Sequence, residues 1–432
     1  MDSLRRTAVV GLTPARTRAA LFALALGGFG IGTTEFATMG LLPEIATDLG
    51  VSIPAAGHAI TAYALGVVVG APTLAALGAR LDRRRLLLLL MVAFTVGNLL
   101  SAFAPTAETL VLARFVAGLP HGAFFGVGAV MGTAVVGPER RGQAVASMMA
   151  GLTVACAVGV PSSAIAGQAV GWRWAFVGVG VLGLVTLAAL RAWTPGLAPL
   201  PGATVRTELA ALRNRRLWVA FAAGSVGFGG MFAVYSYVKP LLTEVTGLDV
   251  GVVPLVLALY GVGMTAGTLL GGRLADRSVL GTVIAGMVAT IVVLVAIALV
   301  GADPVPAVVA VVLLGVTSQV LGLALQTRLM DVSPAAPSLG AALCHSALNL
   351  GNAAGAFFGG LVIDAGLGYL APAWVGAGLT AAGLLVVLTV GRGAPPAAQP
   401  SVAPAGTPGA DSAPATGAEE GARDLATQLR AG

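Results

Sequence analysis

Charge is scarce in this 432-residue chain: Asp, Glu, Lys and Arg make up 10% of it, and lysine occurs once, as Lys239. Soluble domains carry about 25% charged residues, so the deficit excludes an ordinary water-soluble globular protein. Two cysteines, Cys156 and Cys344, are too few for a disulfide framework or a Cys-based zinc site. The three histidines form no H-E-x-x-H pattern, and the apolar runs hold no paired aspartates. No polar segment is long enough for a signalling domain. These absences leave neither a membrane-embedded enzyme nor a sensor, and no metal or cofactor is expected.

Hydrocarbon fills the space instead. Hydrophobic residues make up 57% of the chain and the mean hydropathy is +0.93. Apolar runs of ~20 residues, each enough to cross ~30 Å of lipid as a helix, follow one another from Ala19 to Val390, and about twelve fit. The expected fold is therefore an all-α polytopic membrane protein. Its first span, at ~24 residues, is longer than a signal-peptide core, and its removal would invert every later loop.

Basic residues cluster in alternate loops. Arg5, Arg6, Arg16 and Arg18 precede span 1; Arg80 with Arg83 to Arg85, Arg140 with Arg141, Arg206 with Arg213, Arg215 and Arg216, Arg273 with Arg277, and Arg328 follow. The intervening loops hold Glu44, Asp48, Glu108, Glu244, Asp249 and Asp303, with Arg173 and Lys239 as exceptions. The positive-inside rule then places both termini in the cytoplasm. The net charge of +6 is accounted for by this topology and by anionic headgroups, so lipid is an expected partner and nucleic acid is not.

Two stretches break the pattern. A Pro- and Arg-rich segment divides the chain, giving residues 1–18 as an N-terminal segment, 19–192 as a six-helix bundle, 193–216 as a cytoplasmic linker and 217–390 as a second bundle. Residues 391–432 are rich in Pro, Ala and Gly, a composition that buries too little to offset chain entropy. Disorder is expected there, with at most a short helix near Glu419 to Leu429.

The two halves share a signature. Gly78-Ala-Arg-Leu-Asp82-Arg83-Arg84-Arg85 and Gly272-Arg273-Leu-Ala-Asp276-Arg277 read as loops between spans 2 and 3 and spans 8 and 9. Asp82 is suited to accept from arginines or from helix N-terminal amides, so Gly78, Asp82, Arg83, Gly272, Asp276 and Arg277 are candidates for a conformational clamp; the alternative is charge that only sets topology. Small residues recur at every fourth position in span 5 (Gly151, Ala155, Gly159, Ser163, Gly167, with Pro161 between), and Gly66 and Gly70, Gly263 to Gly271, and Gly351 to Gly359 repeat the pattern. Such stripes allow close helix approach, either as static packing or as interfaces that rock; their recurrence in both halves favours the second.

Ionisable groups inside spans point to function, since a charge in hydrocarbon costs several kcal/mol. Glu35 in span 1 and Arg114 in span 4 each lie roughly 10 Å below the same surface at 1.5 Å per residue. They are expected to face one another or a shared cavity, with Glu35 exchanging a proton; a static ion pair is the alternative. His121, seven residues beyond Arg114 on nearly the same face, extends the track or acts as a hydrogen-bonded spacer. Tyr235, Tyr237, Gln319, His345 and Asn349 are candidates for the second half's side of a cavity. His58 belongs to the membrane interface.

These residues carry a resemblance. The Gly-x-x-x-Asp-Arg loop and Gly272 to Arg277 resemble motif A of the major facilitator superfamily, Leu110 to Gly118 around Arg114 resembles its motif B, and Gly159-Val-Pro161 resembles the helix-5 antiporter motif. Thr34-Glu35-Phe-Ala-Thr-Met-Gly-Leu-Leu-Pro-Glu44, Leu119 to Gly126 and Tyr235 to Leu242 are similar to the bacterial drug:proton antiporter branch, nearest its arabinose-efflux-like and chloramphenicol-resistance-like exporters. The resemblance implies twelve transmembrane helices in two pseudo-symmetric six-helix bundles, helices 1, 4, 7 and 10 around a central cavity to which Thr34, Phe36 and Met39 belong, and helices 2, 5, 8 and 11 at the bundle interface. It implies export of small hydrophobic or amphipathic compounds from the bacterial cytoplasm by a monomer, with the proton gradient as energy source. The first motif A departs from the fuller form at Arg80-Leu81, and motif C at Val160. Export of a sugar or endogenous metabolite, or uncoupled facilitation, are the rival functions.

Overall fold

The structure is a computed structural model that describes residues 12–137, 140–198, 213–332 and 337–390. Arg5, Arg6, Arg206, most of the linker and the 391–432 tail with its Glu419 to Leu429 segment lie outside the described residues. Among the described residues there is no strand, and twelve helices are long and apolar enough to cross a membrane.

The first half holds α1 (Pro14–Gly40), α2 (Ile53–Leu77), α3 (Arg83–Ala102), α4 (Ala107–Val136), α5 (Arg141–Val154 and Val160–Val170, joined by a π-helical turn at Ala155–Gly159) and α6 (Trp172–Trp193). The second holds α7 (Arg215–Tyr235), α8 (Val253–Arg277), α9 (Val279–Val300), α10 (Pro304–Asp331), α11 (Pro337–Asp364) and α12 (Ala371–Val390). Polar side chains start them: Thr13, Ser52, Asp82, Asn214 and Ser278 each accept a backbone N–H at a helix N-terminus, and Thr106 forms a reciprocal capping box with Thr109.

Thr13 caps α1, so this helix begins at Pro14 rather than Ala19 and takes Arg16 and Arg18 into its first turns. The π turn in α5 lies just before Pro161, whose missing N–H interrupts the regular ladder. The α7 run is also interrupted: the helix stops at Tyr235, turns at Ser236 and Tyr237, and resumes at Val238–Pro240 and a π turn at Leu241–Val245.

The glycine stripes pack inside each half, contrary to the rocking interface expected of them. A Cβ at Gly66 or Gly70 of α2 would fall 2.2 or 2.0 Å from a carbonyl oxygen of α4. One at Gly151 of α5 would sit 2.0 Å from Ala25 O of α1, and one at Gly159 2.2 Å from Thr33 Oγ1. The second half repeats this, with Gly263 and Gly267 against Val312 O and Val316 O of α10, and Gly355 2.3 Å from Gly229 O of α7. Each pair joins a helix of the interface between the halves, α2, α5, α8 or α11, to a central helix of its own bundle at backbone contact, which makes each half a stiff unit.

The halves meet along other faces. A Cβ at Gly261 of α8 would lie 2.4 Å from Ala157 N in the α5 π turn, and one at Gly40 of α1 3.1 Å from Leu257 Cδ1. Toward the end bearing the acidic loops, one apolar cluster takes residues from both halves, Phe36, Met39, Leu41 and Ile60 together with Phe232, Tyr235 and Leu257. Toward the basic end, Ala20, Leu24, Leu86, Leu90 and Met131 form a core of first-half residues only. The halves therefore share one apolar cluster at the acidic end, while toward the basic end the first half has a cluster of its own, as the second half does around Leu217, Leu329 and Leu343.

Two ion pairs among the described residues stand at the acidic end. Lys239, 3% exposed, binds Glu44 of the short helix Leu42–Leu49 and so joins the second half to the first. Arg173 pairs with Asp48 and donates to Ala104 O at 3.0 Å. Hydrogen bonds from Arg173 and from Trp172 Nε1 hold the Asp48 carboxyl below its usual range.

The clamp departs from expectation. Asp82 accepts from Arg85 N of its own helix at 3.0 Å and from Leu197 N at 2.8 Å, while Arg83 N donates to Leu197 O at 2.9 Å. A Cβ at Gly78, in the tight turn before it, would strike Leu86. Asp82 thus ties the chain after α6 to the start of α3 within one half. Gly272, Asp276 and Arg277 are not in a loop at all: α8 runs through Arg277, Ser278 rather than Asp276 caps α9, and Asp276 and Arg277 are exposed. The helix break falls two residues later in the second half, so equal spacing does not give the two aspartates equal roles.

Candidate functional site

Arg114 is fully buried on α4, and four other helices converge on it. Its Nη1 donates to Thr34 Oγ1 at 2.8 Å and Asn98 Oδ1 at 3.4 Å, and its Nη2 donates to Thr34 O at 2.9 Å. Thr34 Oγ1 in turn donates to Asn98 Oδ1. The guanidinium carbon lies 4.3 Å from the centroid of the Tyr63 ring and 5.2 Å from that of Phe176. Hydrogen bonds from a charged donor and aromatic faces are together what a desolvated guanidinium needs.

Glu35 follows Thr34 on α1 and is buried as well, at 6% exposure. It feels the Arg114 charge but makes no ion pair with it; its other polar neighbour is the Asn349 side chain from α11 of the second half. The expected Glu35–Arg114 pairing is therefore a shared buried region rather than a bridge: Arg114 Nη1 and Nη2 turn to Thr34 and Asn98, and Nε is buried without a partner.

From Arg114 the polar groups continue toward the basic end. Tyr63 OH lies 3.1 Å from His121 Nδ1, the His121 and His345 rings are 5.4 Å apart across the two halves, and His345 stacks on Phe125 at 4.6 Å. His121 extends the track, as its spacing from Arg114 implied. Asn349 Nδ2 donates to His345 O at 3.1 Å, and Asn349 Oδ1, both polar atoms of Asn352, His121 Nε2 and Tyr235 OH are buried without a partner.

Several cavity candidates lie elsewhere. Thr34 is taken up by Arg114. Phe36 stacks on Phe232 at 6.0 Å and meets Tyr235 edge-on at 5.7 Å, and Tyr235 stacks on Tyr260 at 4.1 Å, so with Met39 these side chains fill the closed acidic end. Tyr237 donates to Ala356 O at 2.7 Å and pins the α7 break to α11. Gln319 is half-buried on α10 and makes no hydrogen bond to these groups. Gly151, Gly159 and Gly167 of the helix-5 motif face α1 and Leu41. His58 is exposed near the acidic end of α2, in keeping with an interface position.

Sequence reasoning missed Asn98, Tyr63 and Phe176. A lone amide in α3 and a lone tyrosine in α2, each amid apolar residues, were the available signals.

Comparison with known proteins fits this architecture. The profile of the Major Facilitator Superfamily matches residues 24–337 and 233–419. The chain is 42% identical over 375 residues to the "Inner membrane transport protein YdhP" of Escherichia coli (strain K12), covering 87% of this chain and 96% of the relative. It is 34% identical to the "Chloramphenicol resistance protein" of Streptomyces lividans, covering 85% and 94%. The crystal structure of a point mutant of the nucleoside transporter NupG superposes with a TM-score of 0.68 at 13% identity, over 86% of this chain and 99% of that one. Twelve spans in two similarly packed halves, a buried arginine on the fourth helix and these matches establish that the chain belongs to the Major Facilitator Superfamily, as a multi-pass membrane transporter and not an enzyme.

Proposed function

We propose that the chain is a proton-coupled exporter of small hydrophobic or amphipathic compounds, antibiotics among them, working by alternating access. Glu35 carries the reading: a carboxyl held inside the membrane, near a buried arginine yet not bridged to it, is placed to exchange a proton. Protonation from the outer side neutralises Glu35, weakens its attraction for Arg114 and for a cationic or hydrogen-bonding substrate, and favours release and return. Arg114 and His121 support the exchange, His345 and Asn349 border the substrate, and the proton gradient supplies the energy. By the positive-inside rule the arginine-rich loops support a cytoplasmic position for both termini and for the basic end of the bundle, in a bacterial inner membrane. The fold is complete in one copy, so a monomer bound by lipid suffices.

The unpartnered Oδ1 of Asn349 and the unpartnered amide of Asn352 favour a second reading, export of a sugar or other hydroxylated metabolite. The test is accumulation of labelled chloramphenicol, arabinose and ethidium in cells expressing the chain, with and without a protonophore. Coupled efflux lowers accumulation of one compound, the protonophore restores it, and Glu35→Gln abolishes the effect. Lowered arabinose alone selects the second reading; efflux that survives the protonophore makes the chain a facilitator; concentrative efflux by Glu35→Gln sinks the role given to Glu35.

A further inference from the structure

Tyr63 touches both the Arg114 site and the histidine of the inter-half contact. Its ring carries the Arg114 guanidinium at 4.3 Å, and its hydroxyl is bonded to His121 Nδ1 at 3.1 Å. It is 1% exposed, so water does not substitute for either contact. His121 stands where α2, α4 and α11 converge: a Cβ on its neighbour Gly122 would lie 2.4 Å from Ala71 Cβ and 3.3 Å from His345 Cβ.

With the Tyr63 hydroxyl donating, Nδ1 accepts and the neutral imidazole carries its proton on Nε2, which is buried and has no partner. A tyrosine drawn away by movement of Arg114 would free Nδ1 and allow the ring to take a second proton, 5.4 Å from the His345 ring of the other half. A charge on His121 at that separation disrupts its desolvated packing against His345 and Phe125, and the contact between the halves loosens. The titratable and charged groups facing His121 are Tyr63 of α2, His345 of α11, and through Tyr63 both Arg114 of α4 and Glu35 of α1. Helices α3 and α5 meet α4 through Gly97 and Met148, which do not titrate.

We propose that Tyr63 is a positioning residue that conveys the state of the Glu35–Arg114 site to the His121–His345 contact between the two halves. The inference rests on Glu35 being the proton-exchanging group. It is tested without a transport substrate, on the full chain in lipid nanodiscs, by the distance between spin labels at Leu77→Cys and Arg277→Cys, both exposed toward the basic end, with Cys156 and Cys344 replaced by alanine. The wild-type distance distribution is expected to shift between about pH 8 and pH 5. His121→Asn keeps an acceptor for the hydroxyl but does not titrate, and should lose the shift; Glu35→Gln should lose it too, whereas Tyr63→Phe, which keeps the ring under Arg114 but leaves His121 Nδ1 open, should still shift when Glu35→Gln is added. A wild-type distribution indifferent to pH, His121→Asn shifting as fully as wild type, or Tyr63→Phe losing its shift when Glu35→Gln is added, overturns the link. Since no export is measured, a failure of the accumulation experiment with these distances behaving as expected would remove the transport assignment alone.

Discussion

At the scale of single residues, the site is organised by the number of directions from which Arg114 is held. Two guanidinium nitrogens reach α1 and α3, and two aromatic faces cover the ion from α2 and α6. A lysine offers a point charge without the planar fork, so Arg114→Lys keeps the sign of the charge and loses at least one hydrogen bond to it, worth about 1.5–3 kcal/mol. The variant should reach the membrane with a lowered melting temperature in detergent, and its efflux should fall at least about tenfold, since 1.4 kcal/mol corresponds to that factor. Arg114→Ala should be less stable still, because it leaves Thr34 and Asn98 facing a void. Wild-type efflux by Arg114→Lys would show that charge alone is required and that the geometry around it is incidental.

At the scale of helices, a small-residue stripe indicates close approach without naming the partner. Gly70→Ala puts a methyl 2.0 Å from Leu119 O, backbone against backbone, so the helices must separate. Overpacking of this kind costs about 1–3 kcal/mol. Gly178 in α6 has nothing within 4 Å of the same added atom, and there Gly→Ala gains up to about 1 kcal/mol of helix propensity. Thermal unfolding in detergent should therefore drop for Gly70→Ala and hold or rise for Gly178→Ala; equal effects would contradict the packing described. The spans themselves were legible because length and hydropathy fix them, and α2 and α6 ended within a few residues of their apolar runs. The partners of the stripes were not legible, since 3.6-residue periodicity marks a face and says nothing of what lies opposite. The second charged segment misled for a related reason: Gly272 to Arg277 repeats the letters of Gly78 to Arg83, but a serine two residues on from Asp276 caps the next helix, and capping rather than composition decided where the turn fell. The buried pair of ionisable residues was visible from depth alone, whereas Asn98 and Tyr63 required knowing which helices touch.

For the whole molecule, stiff halves mean that alternation has to occur at the contacts between them. At the acidic end those contacts are Phe36 with Phe232 and Tyr235, Gly261 on the α5 π turn, and the Lys239–Glu44 pair. Apolar surfaces can slide and repack, but the ion pair must be broken outright when this end opens. Lys239 is nearly inaccessible while Glu44 is 22% exposed, which places the pair between the surface regime, worth under about 1 kcal/mol, and the buried one. Removing one partner should thus favour the state open at the acidic end by about 1–3 kcal/mol, a change of about 5- to 150-fold in its population relative to the closed state. Reaction of Phe36→Cys with an impermeant maleimide added from the acidic side reports that population, because Phe36 is 4% exposed when the end is closed. Lys239→Ala should raise the labelling rate within that range, and the exchange of charges in Glu44→Lys with Lys239→Glu should return it toward wild type. Labelling unchanged by Lys239→Ala would mean that aromatic packing alone holds the end shut and that the chain's single lysine serves only to anchor α7.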